Sequence, residues 1–153
     1  MTMTRKMTMA AALAAAFAMA APAAQAQSHG ERAAVERAGM DYLDGFYEGD
    51  ADKIRRSVHP DVTKVGFMSR GGSPYRSSPM SFTQMIEYAD GVKASGEHPP
   101  ADAPKAVHLL EMMDQTAAIR VDAWWGSDYM HLAKYDGEWK IIHVLWQTPP
   151  PQR

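Results

Sequence analysis

The chain has 153 residues, a net charge of −2, 46% hydrophobic residues and no cysteine. That length holds one modest domain, and the slight acidity argues against a nucleic-acid binder, which normally carries a basic excess. Without cysteine there are no disulfides, thiolate metal sites or cysteine nucleophiles, and without asparagine there is no N-glycosylation sequon.

Residues 1–26 read as a secretory signal peptide. Arg5 and Lys6 give a basic start, Met7 to Ala21 carry no charge, and Ala24-Gln25-Ala26 offers small residues where a signal peptidase cuts. The apolar run is shorter than the roughly 20 residues a membrane span needs. Cleavage after Ala26 would leave a chain with 14 basic and 18 acidic residues, a charge of −4. The expected product is periplasmic or secreted and does not associate with a membrane. Its domain occupies residues 27–148, followed by a Pro-rich tail, residues 149–153.

Within the domain, Ser28-His29-Gly30-Glu31 has capping-box spacing. Val35, Gly39, Tyr42, Leu43 and Phe46 follow at helical intervals, and Gly49 is the expected stop. Asp50 caps a short second helix that Pro60 ends. Val62 to Met68 alternates as a strand, and Gly71-Gly72-Ser73-Pro74 makes a turn. Ser81 and Gln84 open a third helix that buries Phe82, Met85, Ile86, Ala89 and Val92 and stops at Gly96. A Pro-rich loop then leads to four strands: Lys105 to Met113, Thr116 to Trp125, Ser127 to Tyr135 and Glu138 to Trp146. Gly126-Ser127 and Asp136-Gly137 are the expected hairpin turns. Helices followed by a sheet define an α+β domain.

Two stretches carry a family likeness. Tyr42-Leu43-Asp44-Gly45-Phe46-Tyr47-Glu48-Gly49-Asp50 leads to His59-Pro60-Asp61. Near the end, Asp128-Tyr129-Met130-His131-Leu132 precedes Tyr135-Asp136-Gly137-Glu138-Trp139-Lys140-Ile141-Ile142. In this order they resemble the nuclear transport factor 2-like (NTF2-like, SnoaL-like) superfamily and, within it, the branch called "putative lumazine-binding". The resemblance implies a cone, a curved and mostly antiparallel sheet wrapped around three helices with a pocket between them. It also implies a homodimer paired through the outer sheet face. The superfamily includes isomerases, dehydratases, hydrolases and domains without chemistry, so the fold does not settle the function.

Strand register drawn from the two expected turns sorts side chains onto two faces. Tyr135 then faces Glu138, Met130 faces His143, Trp125 faces Asp128 and Asp122 faces His131. The inner face is expected to carry Trp125, Asp128 and His143, with Leu145 beside them. The outer face carries Trp124, Tyr129, His131 and Trp146, a mixture suited to a dimer interface. Diagonal neighbours across strands, Asp128 and His143 would form a carboxylate–imidazole pair of the kind that serves as a general base. The same pair is equally a satisfied structural contact. Tyr42, Phe46, His59 and Phe67 complete the candidate ligand contacts, although Tyr42 and Phe46 also read as core, and His59 as a turn residue. The six histidines lack metal-ligand spacing, and His108 is expected inward, strands away from His143.

These observations favour an exported domain that binds a small apolar or aromatic molecule, with no cofactor, no metal and no nucleic-acid partner. An isomerase or dehydratase using Asp128 and His143, with Tyr42 donating a hydrogen bond, is the alternative. A non-catalytic dimeric interaction domain is the third reading.

Overall fold

The computed structural model describes residues 20–150, with side chains from Ser28 onward. Residues 1–19 of the expected signal peptide, and 151–153 of the tail, lie outside the described residues. The chain divides into two compact units at Ala33/Ala34. In the first, residues 20–33 are helical. They belong to a helix, α1, that covers Ala20–Glu48, so Ser28 lies inside a helix and does not cap one.

In the second unit, local chemistry sets the elements much as expected. Asp50 caps α2 (Ala51–Ser57), its carboxylate accepting from the backbone N–H groups of Asp52 and Lys53. Ser81 caps α3 (Phe82–Ser95) in a complete capping box with Gln84, and Gly96 ends it in the left-handed conformation. The strands are β1 (Val58–Met68), β2 (Arg76–Pro79), β3 (Lys105–Met112), β4 (Thr116–Ala123), β5 (Gly126–Tyr135) and β6 (Glu138–Gln147). They form one sheet in the order β2-β1-β6-β5-β4-β3, with β1 parallel to β6 and every other pairing antiparallel. This is the α+β cone. Val35, Tyr42 and Leu43 of α1, Ile54 of α2 and Met85 of α3 pack on Ile119, Val121, Met130, Leu132 and Ile141 of the sheet.

Three features depart from the sequence reading. β2 was not expected, because Arg-Ser-Ser-Pro has neither alternation nor apolar residues. The β4–β5 turn consists of Trp124 and Trp125, with Ala123 opposite Gly126, so these tryptophans sit in a turn and not on strands. Asp122 therefore faces Ser127, and His131 faces Ala118. The correct turn moves the register by an even number of residues, so the face assignment of β4 and β5 survives.

The third departure reverses a face. Asp136-Gly137 forms the expected β5–β6 turn, both residues having positive φ, and Leu132 faces Ile141 as anticipated. An irregularity then leaves Ile142 unmatched: His131 pairs with His143, Met130 with Val144 and Asp128 with Trp146. One extra residue turns the rest of β6 over. Val144 is buried and Trp146 is half-buried on the inner side, while Leu145 is exposed. Trp146 is therefore not an outer-face residue.

Gly66 of β1 lies beside Trp146, and a Cβ on it would come within 2.0 Å of the indole Cε2. Gly66→Ala forces the tryptophan aside. It is expected to cost about 1–3 kcal/mol in urea unfolding, and a cost below about 0.5 kcal/mol would contradict this packing.

Candidate functional site

Three polar residues are buried in the described part of the domain, and two of them, Lys64 and Asp128, belong to one cluster. α1 brings Tyr42 and, one turn later, Phe46 to the sheet. β1 supplies Lys64, the β4–β5 turn supplies Trp125, and β5 supplies Asp128. The turn is held by Tyr47, whose hydroxyl accepts from the Trp124 backbone N–H at 2.9 Å and donates to the Pro104 carbonyl.

Asp128 is fully buried and accepts two hydrogen bonds, from the Tyr42 hydroxyl at 2.8 Å and from the Trp125 indole N–H at 2.7 Å. The Lys64 ammonium donates to the same Tyr42 oxygen and lies 3.9 Å from the Asp128 carboxylate. Lys64, Tyr42 and Asp128 thus form a continuous hydrogen-bonded line. Aromatic rings enclose the ammonium, with the Tyr42 and Phe46 centroids each at 4.9 Å, Trp146 at 5.7 Å and Trp125 at 5.8 Å. A cation against ring faces gains electrostatic attraction that partly offsets its lost hydration.

Burial dominates the electrostatics. It pulls the Lys64 ammonium down from 10.5 to about 8, against the opposing pull of Asp128. Burial also raises the Asp128 carboxyl, although Lys64, Trp125 and Tyr42 each act to lower it. The Tyr42 phenol is raised by burial and by the neighbouring carboxylate, so it remains a neutral donor.

A cavity of ≈ 310 Å³ opens beside this cluster. Lys64, Phe46, Trp125 and Trp146 lie at its inner end with Met68 and Met80, while the exposed Arg70, Gln84, Tyr88 and Trp124 border it. A second cavity of ≈ 270 Å³ lies between α3 and the Pro-rich loop and shares Phe46, Tyr88 and Trp124. It has no buried charged group, so the chemistry concentrates in the first. Among the described residues, no group of three or more His, Asp or Glu side chains is placed to hold a metal ion.

The structure brings Tyr42, Phe46, Trp125 and Asp128 together, as the sequence suggested, and leaves out three other candidates. His143 stands on the outer face with its ring stacked on His131 at 5.4 Å, because the irregularity at Ile142 inverts the strand. The Asp128–His143 acid–base pair is not assembled. Phe67 points outward and is 42% exposed. His59 stacks on Tyr135 at 4.3 Å, away from the cavity. His108 also turns outward, to Asp122 at 3.0 Å. Lys64 was missed, since taking Phe67 as a ligand contact gives β1 the opposite parity. Its inward set is Val62, Lys64, Gly66 and Met68.

Asp128→Ala strands a buried ammonium and is expected to cost about 3–5 kcal/mol in urea unfolding, with Asp128→Asn, which keeps its shape, costing less. The pH dependence has a definite sign. Below pH 8 folded and unfolded Lys64 are both protonated, and its burial is a full penalty. Between about 8 and 10.5 the unfolded state holds more protons, so stability rises with pH. The gain is up to roughly 3 kcal/mol. Tyr42 opposes the upper end of this rise, because its folded phenol stays protonated while the unfolded phenol ionises around its ordinary 10, so the gain from Lys64 is clearest between about 8 and 9. Asp128 acts in the opposite sense on the acid side, where its raised carboxyl makes stability fall as pH climbs past 3.8. Unfolding of Lys64→Met should lack the alkaline rise, and an identical profile in the wild type would refute it.

The model of the family described as "Putative lumazine-binding" matches residues 30–147. No curated protein matches the chain significantly. Among solved structures, an NTF2-like protein of unknown function from Silicibacter pomeroyi is similar at 16% identity and TM-score 0.59, covering 77% of this chain and 95% of its own. One from Shewanella baltica is 20% identical, TM-score 0.59, covering 78% and 94%. A third, from Methylobacillus flagellatus, is 15% identical, TM-score 0.54, covering 78% and 92%. Identities this low speak to the fold alone, and the family follows from the match along most of the chain: it belongs to the family described as "Putative lumazine-binding", with an NTF2-like fold.

Proposed function

We propose that this domain binds a small, flat, largely apolar molecule carrying one hydrogen-bond acceptor. The observation that carries this reading is the cavity of ≈ 310 Å³ with a buried ammonium among aromatic rings. Flat ring systems stack on such walls, and a carbonyl or similar oxygen satisfies the ammonium protons not used by Tyr42. The family name points the same way, toward small-molecule binding. The Asp128–His143 pair that an isomerase or dehydratase would use is not assembled, which favours binding over that chemistry.

Two further parts of the proposal rest on separate features. Export is supported by the basic start, uncharged run and Ala24-Gln25-Ala26 of the first 26 residues. Homodimerisation is supported by Phe67, Leu145 and Tyr129, each more than 40% exposed on the outer face of adjacent strands β1, β6 and β5. In that interface Trp146 has no place, and His131 with its neighbour His143 borders Tyr129.

A thermal-shift and tryptophan-fluorescence screen of flat aromatic and heterocyclic compounds tests the binding reading. At least one compound should raise Tm and quench fluorescence, with Phe46→Ala weakening its Kd about tenfold or more. A screen in which no compound shifts Tm would overturn it. For the interface, Tyr129→Arg should shift the sedimenting species from dimer to monomer, and an unchanged profile would reject this face.

A further inference from the structure

We propose that Lys64 is an amine nucleophile that condenses reversibly with an apolar or aromatic aldehyde held in the cavity. This rests on the pocket reading above and names the ligand's reactive group. Four observations support it. Among the described residues, Lys64 is the only lysine bordering the cavity, and its nitrogen stands among rings that would hold an aromatic aldehyde against it. Its hydrogen bond to Tyr42 continues to Asp128, a ready route for protons. The amine is pulled down to about 8, so at pH 7 roughly three hundred times more of it is unprotonated than of an ordinary lysine. Among the described residues, nothing else lining the cavity is a comparable nucleophile, Ser78 having no imidazole or carboxylate beside it in the lining.

The step balances without any co-reactant. The ammonium gives one proton to Tyr42 as Tyr42 gives its own to Asp128, leaving a neutral amine and a neutral carboxyl. The nitrogen lone pair forms a C–N bond to the carbonyl carbon, the C=O π pair moves to oxygen, and a proton passes from nitrogen to that oxygen. Asp128 returns its proton through Tyr42 to the carbinolamine hydroxyl, the C–O bond breaks and water leaves. The product is a protonated imine facing an ionised Asp128, the same charge pair as at the start. Condensation therefore leaves the buried charge balance unchanged, whereas an imine formed without a nearby carboxylate would be an uncompensated cation. Tyr42 and Asp128 act here as a proton route and as positioning groups for the amine.

The full chain, incubated at pH 7 with benzaldehyde and sodium cyanoborohydride and mapped by peptide mass spectrometry, provides the test. Benzylation is expected at Lys64 about tenfold or more faster than at the exposed Lys93, slowed by excess benzyl alcohol, and absent in Lys64→Met. Tyr42→Phe should slow trapping about tenfold while benzyl alcohol still quenches tryptophan fluorescence. Quenching by both compounds with Lys64 unmodified would overturn the imine and leave the pocket reading standing. Neither compound quenching, with Lys64 reacting no faster than Lys93, would overturn both.

Discussion

The fold around the site depends on one carboxylate that has no water. Asp128 sits on the buried face of a central strand, where an unpaired charge would cost several kcal/mol. Its solution recruits three other parts of the chain: the phenol of α1, the indole of the β4–β5 turn and the ammonium of β1. Each partner fixes its own element against the sheet. The helix cannot rotate without removing Tyr42, the turn cannot reshape without removing Trp125, and β1 cannot change parity without exporting Lys64.

This arrangement sacrifices stability. A methionine in place of Lys64 and a leucine in place of Asp128 would fill a comparable volume with no desolvation cost, and such replacements are often neutral or stabilising in other proteins. The cavity adds to the cost, since Met68, Met80 and Trp146 each leave part of their surface facing space. Buried, strongly perturbed charges beside an open cavity are the pattern expected where a protein has a ligand to hold or to transform. On the proposed function, the cluster is the floor of the binding site. It also organises the core, and these roles are compatible because the Tyr42 hydroxyl that seats Asp128 also holds Lys64, which lines the cavity.

Most of the architecture was legible in the sequence because its signals are local. Ser81 and Gln84 make a capping box wherever they occur at that spacing, and Asp136-Gly137 supplies the positive φ values of a tight turn. Asp128, Tyr42 and Phe46 were legible for the same reason, standing on elements whose faces follow from periodicity, whereas Trp125 was expected on a strand and reaches the site from a turn. What failed was non-local. The extra residue at Ile142 inverts the end of β6, and no residue type there announces it. Its consequences were large: His143 left the site and Trp146 entered it. Lys64 was hidden by its own chemistry, because a lysine in an alternating strand reads as the solvent face unless its buried partner is known. The partner, Asp128, lies 64 residues further on, and only the parallel β1–β6 pairing brings the two strands near each other. Gly66 was the available clue, a glycine in a strand often marking close approach by another group, here Trp146.

The central claim is that Lys64 is a buried amine facing Asp128, with burial outweighing the attraction between them. The most direct measurement is an NMR titration of the Lys64 side-chain Cε and Nζ signals in the full chain, assigned by loss of the signal in Lys64→Arg. The account predicts a titration midpoint of about 8, well below the ordinary 10.5. A midpoint at or above 10.5 would contradict it, showing a solvated lysine or one ruled by its carboxylate partner.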